Sequence, residues 1–249
     1  MQSVEHDRVA SALAVQLAYY RQAAADFDRH THAALLNEVA RRLQGRVDLS
    51  GDVLEMACGA GQWTAWLAES ARSLTAVDAA PEMLEFARRR LTSRMAGQVE
   101  LVCADIFDWR PRRRHQAVFF AFWLSHVPPA RFAAFWELVA ACLAPDGWAA
   151  FVDDGPGEAA FEVDLDADAD LPTAGRQLPD GGWSRGWTPV RPGRRARDGS
   201  RLRQPASEHR VVKVLHDPEE LARSLAGLGW AARVEPLGET FVVGWARPG

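Results

Sequence analysis

Between residues 52 and 148 short apolar runs alternate with helical stretches, and this alternation constrains the 249-residue chain more than any other feature. Residues 53–57 read as a strand that runs into Cys58-Gly59-Ala60-Gly61, and 63–71 as the helix that follows. The next strand, 74–77, is closed by Asp78, and a helix over 81–91 begins with a proline, whose fixed φ suits the first turn. A third strand over 99–104 ends at Asp105. Residues 117–122 are apolar without interruption, as a strand buried on both faces should be. A helix over 129–143 is expected to stop near Pro145-Asp146-Gly147, before a fifth strand over 148–152. Such repetition predicts an α/β fold, a doubly wound and mainly parallel sheet with right-handed crossovers.

The flanks complete the plan. Val9, Leu13, Leu17 and Tyr20 share one helical face, and a second helix is expected from Thr31 to Gly45. Residues 153–208 break the rhythm with an acidic run, then a polar stretch of Pro, Gly, Trp and Arg. A strand over 210–215 and a helix over 218–228 follow. Two strands, 230–234 and 240–245, joined by a turn over 235–239, form a C-terminal β-hairpin. A dinucleotide-binding dehydrogenase would usually add another βα unit there. The whole reads as one domain over 1–249: a helical segment 1–46, a core 47–152, an insert 153–208 and a closing unit 209–249.

Charge and cysteine usage narrow the function. With 29 basic against 33 acidic residues the net charge is -4, which lacks the basic excess of a nucleic-acid binder. Cys58, Cys103 and Cys142 are scattered, with neither zinc-site spacing nor a disulfide framework, so no metal is expected and a reducing cytoplasm fits. No apolar run is long enough for a membrane span, and charged residues precede the first apolar run, unlike a signal peptide. Among the 29 basic residues there is one lysine, Lys213.

In an open parallel sheet, ligands bind beyond the C-terminal strand ends, near the point where strand order reverses. Gly59 and Gly61 let backbone approach a ligand there and accept dihedrals that a side chain opposes. Asp78 lies 78 − 55 = 23 residues after Glu55, which suits an acid that takes ribose hydroxyls. Asp105 is placed to accept from an adenine amino group. Glu55 would repel a pyrophosphate but can hold an ammonium, directly or through water. Phosphate cradling by a P-loop is excluded because no Gly-Lys-Ser/Thr is present, and Thr64 stands where a dinucleotide fingerprint wants a small residue. Three acids at three strand ends favour an adenosine ligand without phosphates.

These residues carry a resemblance. The segments 53–61, 77–83 and 104–109 resemble the cofactor motifs of class I S-adenosylmethionine-dependent methyltransferases, with Ala57 in place of the first glycine. Tyr19-Tyr20-Arg21, the segments 119–128 and 211–214, and the terminal Arg247-Pro248-Gly249 resemble the dehydrophos-type phosphonate O-methyltransferases and their bacterial relatives. The resemblance covers most of the chain except 153–208. It implies a seven-stranded Rossmann-like sheet, S-adenosyl-L-methionine as cofactor and a small-molecule acceptor. It further implies that Ala57, Gly59 and Gly61 approach the amino-acid part of the cofactor, with Glu55 before them. Asp78 and Ala79 would lie at the ribose, Met83 beside the adenosine, and Asp105 with Ile106 around the adenine. Trp63 and Phe122 complete the implied cofactor contacts. Tyr20 and Arg21, on an N-terminal helical lid, would cover the cofactor carboxylate. The chain has no tyrosine beyond Tyr20 to match the family's second lid tyrosine; His30 and His32 stand in that neighbourhood.

The resemblance sets His126, after the fourth strand, facing the transferring methyl, as a base for a hydroxyl or a donor to an oxyanion. Lys213, retained where arginine is otherwise used, suggests a compact point charge for an anionic acceptor, assisted by Arg210. The alternatives are a histidine capping the turn at Pro128-Pro129 and a solvated strand charge. Trp183 and Trp187 in the insert form either a substrate lid or a local cluster. An oxygen of an anionic acid, phosphonate or carboxylate, or of a hydroxyl is the expected acceptor, in bacterial secondary metabolism. N- or C-methylation and cofactor binding without chemistry are the competing readings.

Overall fold

Five strands run from the middle of the chain: β1 (Asp52–Met56), β2 (Ser73–Asp78), β3 (Val99–Cys103), β4 (His115–Ala121) and β5 (Leu143–Asp154). The structure is a computed structural model that describes residues 2–29, 33–157, 176–177, 183–187 and 209–249. The remaining strands among the described residues are β6 (Arg176–Gln177), β7 (Trp183–Trp187), β8 (His209–Lys213), β9 (Trp230–Leu237) and β10 (Phe241–Pro248). Seven of the ten form one sheet in the order β3-β2-β1-β4-β5-β10-β9. The first five are mutually parallel, and the β9–β10 hairpin closes the sheet antiparallel to β5. The expected doubly wound sheet with its terminal hairpin is therefore present.

Period-two alternation sorts the side chains onto two faces. Leu54, Met56, Val118, Phe120 and Phe151 join one core with Trp136 of α6 (Phe132–Cys142) and Leu221 and Leu225 of α7 (Pro218–Gly227). Val53, Ala117, Phe119, Ala150 and Val152 join the other. There they meet Val39 and Leu43 of α2 (Ala33–Leu43) and Trp63 and Leu67 of α3 (Gln62–Leu67). Phe120 and Phe151 stack with ring centroids 5.4 Å apart. Truncating either ring would cost about 3–5 kcal/mol, the usual range for a buried aromatic. α7 begins at Pro218, and Asp217 caps it by accepting from the Glu219 and Glu220 amides.

The order reverses between β2-β1 and β4, so the crevice that binds ligands opens beyond β1 and β4. Two helices frame it: α4 (Pro81–Arg90), and α1 (Gln2–Arg29), a single helix of 28 residues. A short helix, α5 (Ser93–Ala96), leads into β3.

Two expectations need correction. β5 starts at Leu143 rather than 148, because pairing with β4 jumps from His115↔Leu143 to Ala117↔Trp148. Pro145-Asp146-Gly147 is thus an excursion within the strand and not a break before it. β8 does not enter the large sheet. It pairs with β7, and β7 with β6, in a separate three-stranded antiparallel sheet to which the 153–208 segment contributes two strands.

Candidate functional site

The loop after β1 is held in left-handed backbone. Ala57, Gly59 and Gly61 have φ of 54°, 54° and 81°. A Cβ on Gly61 would lie 2.6 Å from the Ala87 Cα, so this glycine lets α4 pack against the start of α3. A Cβ on Gly59 would meet nothing within 4 Å, so the space beside its backbone is open to a ligand. Asp78 fastens the loop: Oδ2 accepts from the Gly59 amide at 2.8 Å and Oδ1 from the Ala80 amide at 2.8 Å. Burial raises the Asp78 pKa against the pull of these amides. Ala79 lies in the same turn.

Glu55 is 1% exposed and accepts from the Thr64 hydroxyl at 2.6 Å. Burial pushes its carboxyl up to about 8, opposed by that hydrogen bond and assisted by the charge of Asp78. A carboxyl in this state suits an arriving ammonium, which would supply the charge partner that burial withholds. Loop, Asp78 and Glu55 together fit a ligand with an aminocarboxylate end and ribose hydroxyls.

The other expected cofactor residues separate into two groups. Met83 and Ile106 are buried near the crevice, and Met83 clusters with Ala24, Ala60 and Ala80, with Leu17, Tyr20 and Phe86 packed around them. Asp105 is exposed and accepts from the Phe107 amide at 2.9 Å. Phe122 has φ of 53° and donates its amide to Val152 O at 2.8 Å, with its ring edge-on to Phe241. Trp63 is committed to the core, against Trp66 and Phe119. Arg21 pairs with Glu82 of α4 through Nε and Nη2, an exposed contact between α1 and the core.

A second cluster lies where β4 and β5 end. His126 is buried, and its Nδ1 is 2.7 Å from the Val212 carbonyl, which can only accept. Burial first, and then Lys213 nearby, depress its pKa to about 3, so the ring is neutral, with its proton on Nδ1. Nε2 therefore accepts from the Tyr20 hydroxyl at 2.7 Å, and burial holds that phenol well above its usual pKa. Both ring nitrogens of His126 are thus engaged, and Nε2 reaches the crevice by way of Tyr20.

Lys213 Nζ donates to Asp154, both side chains being largely buried, at 14% and 6% exposure. The Ser125 hydroxyl also donates to Asp154, at 3.3 Å. Asp153 accepts from the Leu124 and Asp154 amides, and burial with the adjacent Asp154 raises its pKa to about 6. Arg210 lies in β8 opposite Gly186, but its side chain falls outside the described residues, as do those of Trp183 and Trp187. His30 and His32 lie outside them altogether.

Sequence reasoning missed Asp153 and Asp154, although an acid at a strand's C-terminal end was the very signal that exposed Asp78 and Asp105. Gln16 was missed as well. It is buried in α1, and its Oε1 accepts from the Val212 amide at 3.0 Å. A lone glutamine on a helix carries no sequence signal.

A family described as a methyltransferase domain matches residues 53–147. The fold is similar to that of the DhpI–SAH complex, with a TM-score of 0.71 and 33% identity over 96% of this chain and 97% of that one. For the DhpI–SAM–HEP complex the values are 0.69 and 34%, over 95% and 98%. The malonyl-[acyl-carrier protein] O-methyltransferase of Paenibacillus sp. (strain JDR-2) is 33% identical over 105 residues, 39% of this chain. That match spans 38% of the relative's length. The glycopeptide N-methyltransferase MtfA, complexed with (S)-adenosyl-L-methionine, shares the fold alone, at 17% identity and a TM-score of 0.60 over 89% and 96% of the two chains.

Proposed function

The chain belongs to the class I S-adenosylmethionine-dependent methyltransferases, and from that premise we propose that it methylates an oxygen of a small acid, a phosphonate or carboxylate, in bacterial secondary metabolism. The observation that carries this reading is Lys213, the one lysine of the chain, largely buried on Asp154 near Ser125 and His126 at the strand ends. A buried ammonium there is a point charge suited to an anionic group. The malonyl O-methyltransferase among the relatives is in keeping with an acid acceptor.

The cofactor supplies an electrophilic methyl on a sulfonium. This chain's residues hold it and exclude water. The Gly59 backbone lets its amino-acid end approach, Glu55 takes the ammonium, Asp78 takes the ribose hydroxyls, and Tyr20 and Arg21 close over it from α1. Lys213 draws the acceptor's anionic group to the same crevice, and Arg210 assists. An acceptor oxygen that is already ionised needs no base, so rate then comes from alignment and water exclusion. His126, neutral and tethered on both nitrogens, orients the crevice wall through Tyr20.

A specific observation favours one rival. Asp154 already neutralises Lys213, and Asp153 lies next to it, so an amine acceptor would find carboxylates at hand. Labelled-methyl transfer to methylphosphonate, malonate, phenols and small amines separates the two readings. Under the acid reading, Lys213→Ala raises the acceptor KM by about 10- to 150-fold, the loss of one charge-assisted hydrogen bond, with S-adenosylhomocysteine affinity unchanged. Lys213→Arg recovers only part of that loss, because a planar fork cannot replace a point charge in place. An unaltered KM sinks the acid reading and promotes N-methylation.

A further inference from the structure

We propose that the N-terminal helix positions Lys213 through the preceding residue, Val212, whose N–H it holds directly by Gln16 and whose C=O it steadies by way of Tyr20 and His126, with Gln16 as the positioning residue. This rests on the reading that Lys213 receives the acceptor. Among the described residues β8 is the last strand of its small sheet, paired with β7 on one side. The outward-facing amide and carbonyl of an edge strand need partners from elsewhere, because a buried backbone group left unpaired is costly. Val212 is 1% exposed, and neither of its outward groups is left to water.

Both are taken by side chains that lead to α1. The Val212 amide donates to Gln16 Oε1 at 3.0 Å. The Val212 carbonyl accepts from His126 Nδ1 at 2.7 Å, and His126 Nε2 accepts from the Tyr20 hydroxyl at 2.7 Å. Gln16 and Tyr20 are four residues apart and so lie on one face of the helix. The clamp thus reaches Val212 directly on its N–H side and through His126 on its C=O side. The next residue along the strand is Lys213.

The following turns of the same helix touch the cofactor side. Ala24 clusters with Ala60, Ala80 and Met83, and Arg21 pairs with Glu82. One rigid helix therefore spans the glycine loop and the acceptor strand. When it docks on the loop it holds Val212 of β8 in place, and when it lifts, Val212 loses Gln16 and His126 loses the Tyr20 hydroxyl that orients its ring. The acceptor charge is in position only under a docked helix, which makes acceptor affinity depend on lid closure without any lid residue having to touch the acceptor.

Gln16→Met keeps the size of the side chain and removes the accepting oxygen; Gln16→Glu keeps an oxygen. Hydrogen exchange of the Val212 amide, read by NMR with S-adenosylhomocysteine bound, tests the clamp, and calorimetry with methylphosphonate tests its consequence. In Gln16→Met the Val212 amide exchanges faster by about tenfold or more, while the amides of β1 are unchanged. Methylphosphonate binds about 3- to 10-fold more weakly, the loss of one neutral hydrogen bond, and Gln16→Glu restores it. Affinity for S-adenosylhomocysteine stays as in the parent. Unchanged exchange at Val212 overturns the proposal. So does a methylphosphonate affinity that Lys213→Ala weakens and Gln16→Met does not. If Lys213→Ala leaves methylphosphonate binding untouched while Gln16→Met still frees the Val212 amide, the clamp stands and the acid-acceptor reading is what fails.

Discussion

Replacing Glu55 by glutamine should move fold stability and ligand binding in opposite directions. The folded chain holds the Glu55 proton up to about pH 8, whereas an unperturbed glutamate releases it near 4.5. Between these values the folded state binds more protons than the unfolded one, so stability falls as pH rises through that window. From pH 4.5 to 7 the fall amounts to about 3 kcal/mol, at about 1.4 kcal/mol per unit. The Glu55→Gln side chain has no proton to lose, and its amide oxygen still accepts from Thr64. The variant's denaturation free energy should therefore gain about 3 kcal/mol on the parent's over that pH range. Binding behaves otherwise. An ammonium docked at Glu55 draws off the proton, so the parent at pH 7 should release about 0.9 proton per S-adenosylhomocysteine bound, and its affinity should rise with pH toward 8. The variant should bind more weakly and release none. Calorimetry in two buffers of different ionisation enthalpy counts the protons, and urea denaturation at pH 5 and 7 gives the stabilities. Equal proton release in both proteins would refute the placement of the ammonium at Glu55, and denaturation free energies that track each other with pH would refute the retained Glu55 proton.

Three further perturbations separate holding the loop from holding the ligand. Asp78→Ala removes the acceptor of the Gly59 and Ala80 amides and should weaken S-adenosylhomocysteine by roughly 1.5–3 kcal/mol; unchanged affinity by calorimetry in a folded variant removes the ribose assignment. Gly61→Ala meets both a left-handed φ and the Ala87 backbone, so it should lose about 2–5 kcal/mol of stability, seen as a fall in Tm. Gly59→Ala meets the φ penalty in open space, so it should lose only about 1–2 kcal/mol of stability while impairing ligand binding; equal Tm losses in the two variants would contradict the geometry.

What was legible in the sequence was whatever one segment writes by itself. Strand period, the Gly59–Gly61 loop and the acids closing β2 and β3 are local patterns, and from them the sheet, its hairpin and the ligand crevice followed. What was not legible depends on segments meeting across the chain. Tyr20 meets His126 across 106 residues, and Gln16 meets Val212 across 196, so neither contact leaves a trace in either segment. The excursion at Pro145-Asp146-Gly147 escapes a sequence reading because a turn signal inside a strand looks the same as one that ends a helix. Asp153 and Asp154 escape it for a related reason: the apolar run stops at Val152, while pairing with β10 carries β5 on through both acids.

Lys213 and the glycine loop belong to different hydrogen-bonded ladders. Lys213 sits on the three-stranded sheet, and the loop hangs from the seven-stranded one. A change of length or side chain in β6 or β7 therefore breaks no pairing in the sheet that carries the cofactor crevice. The two meet through a few side-chain and single-backbone contacts, such as the Val214 amide on Ser125 O and Lys213 on Asp154. If Lys213 receives the acceptor as proposed, a chimera that transplants β6 to β8 between relatives should alter acceptor affinity while leaving S-adenosylhomocysteine affinity as it was.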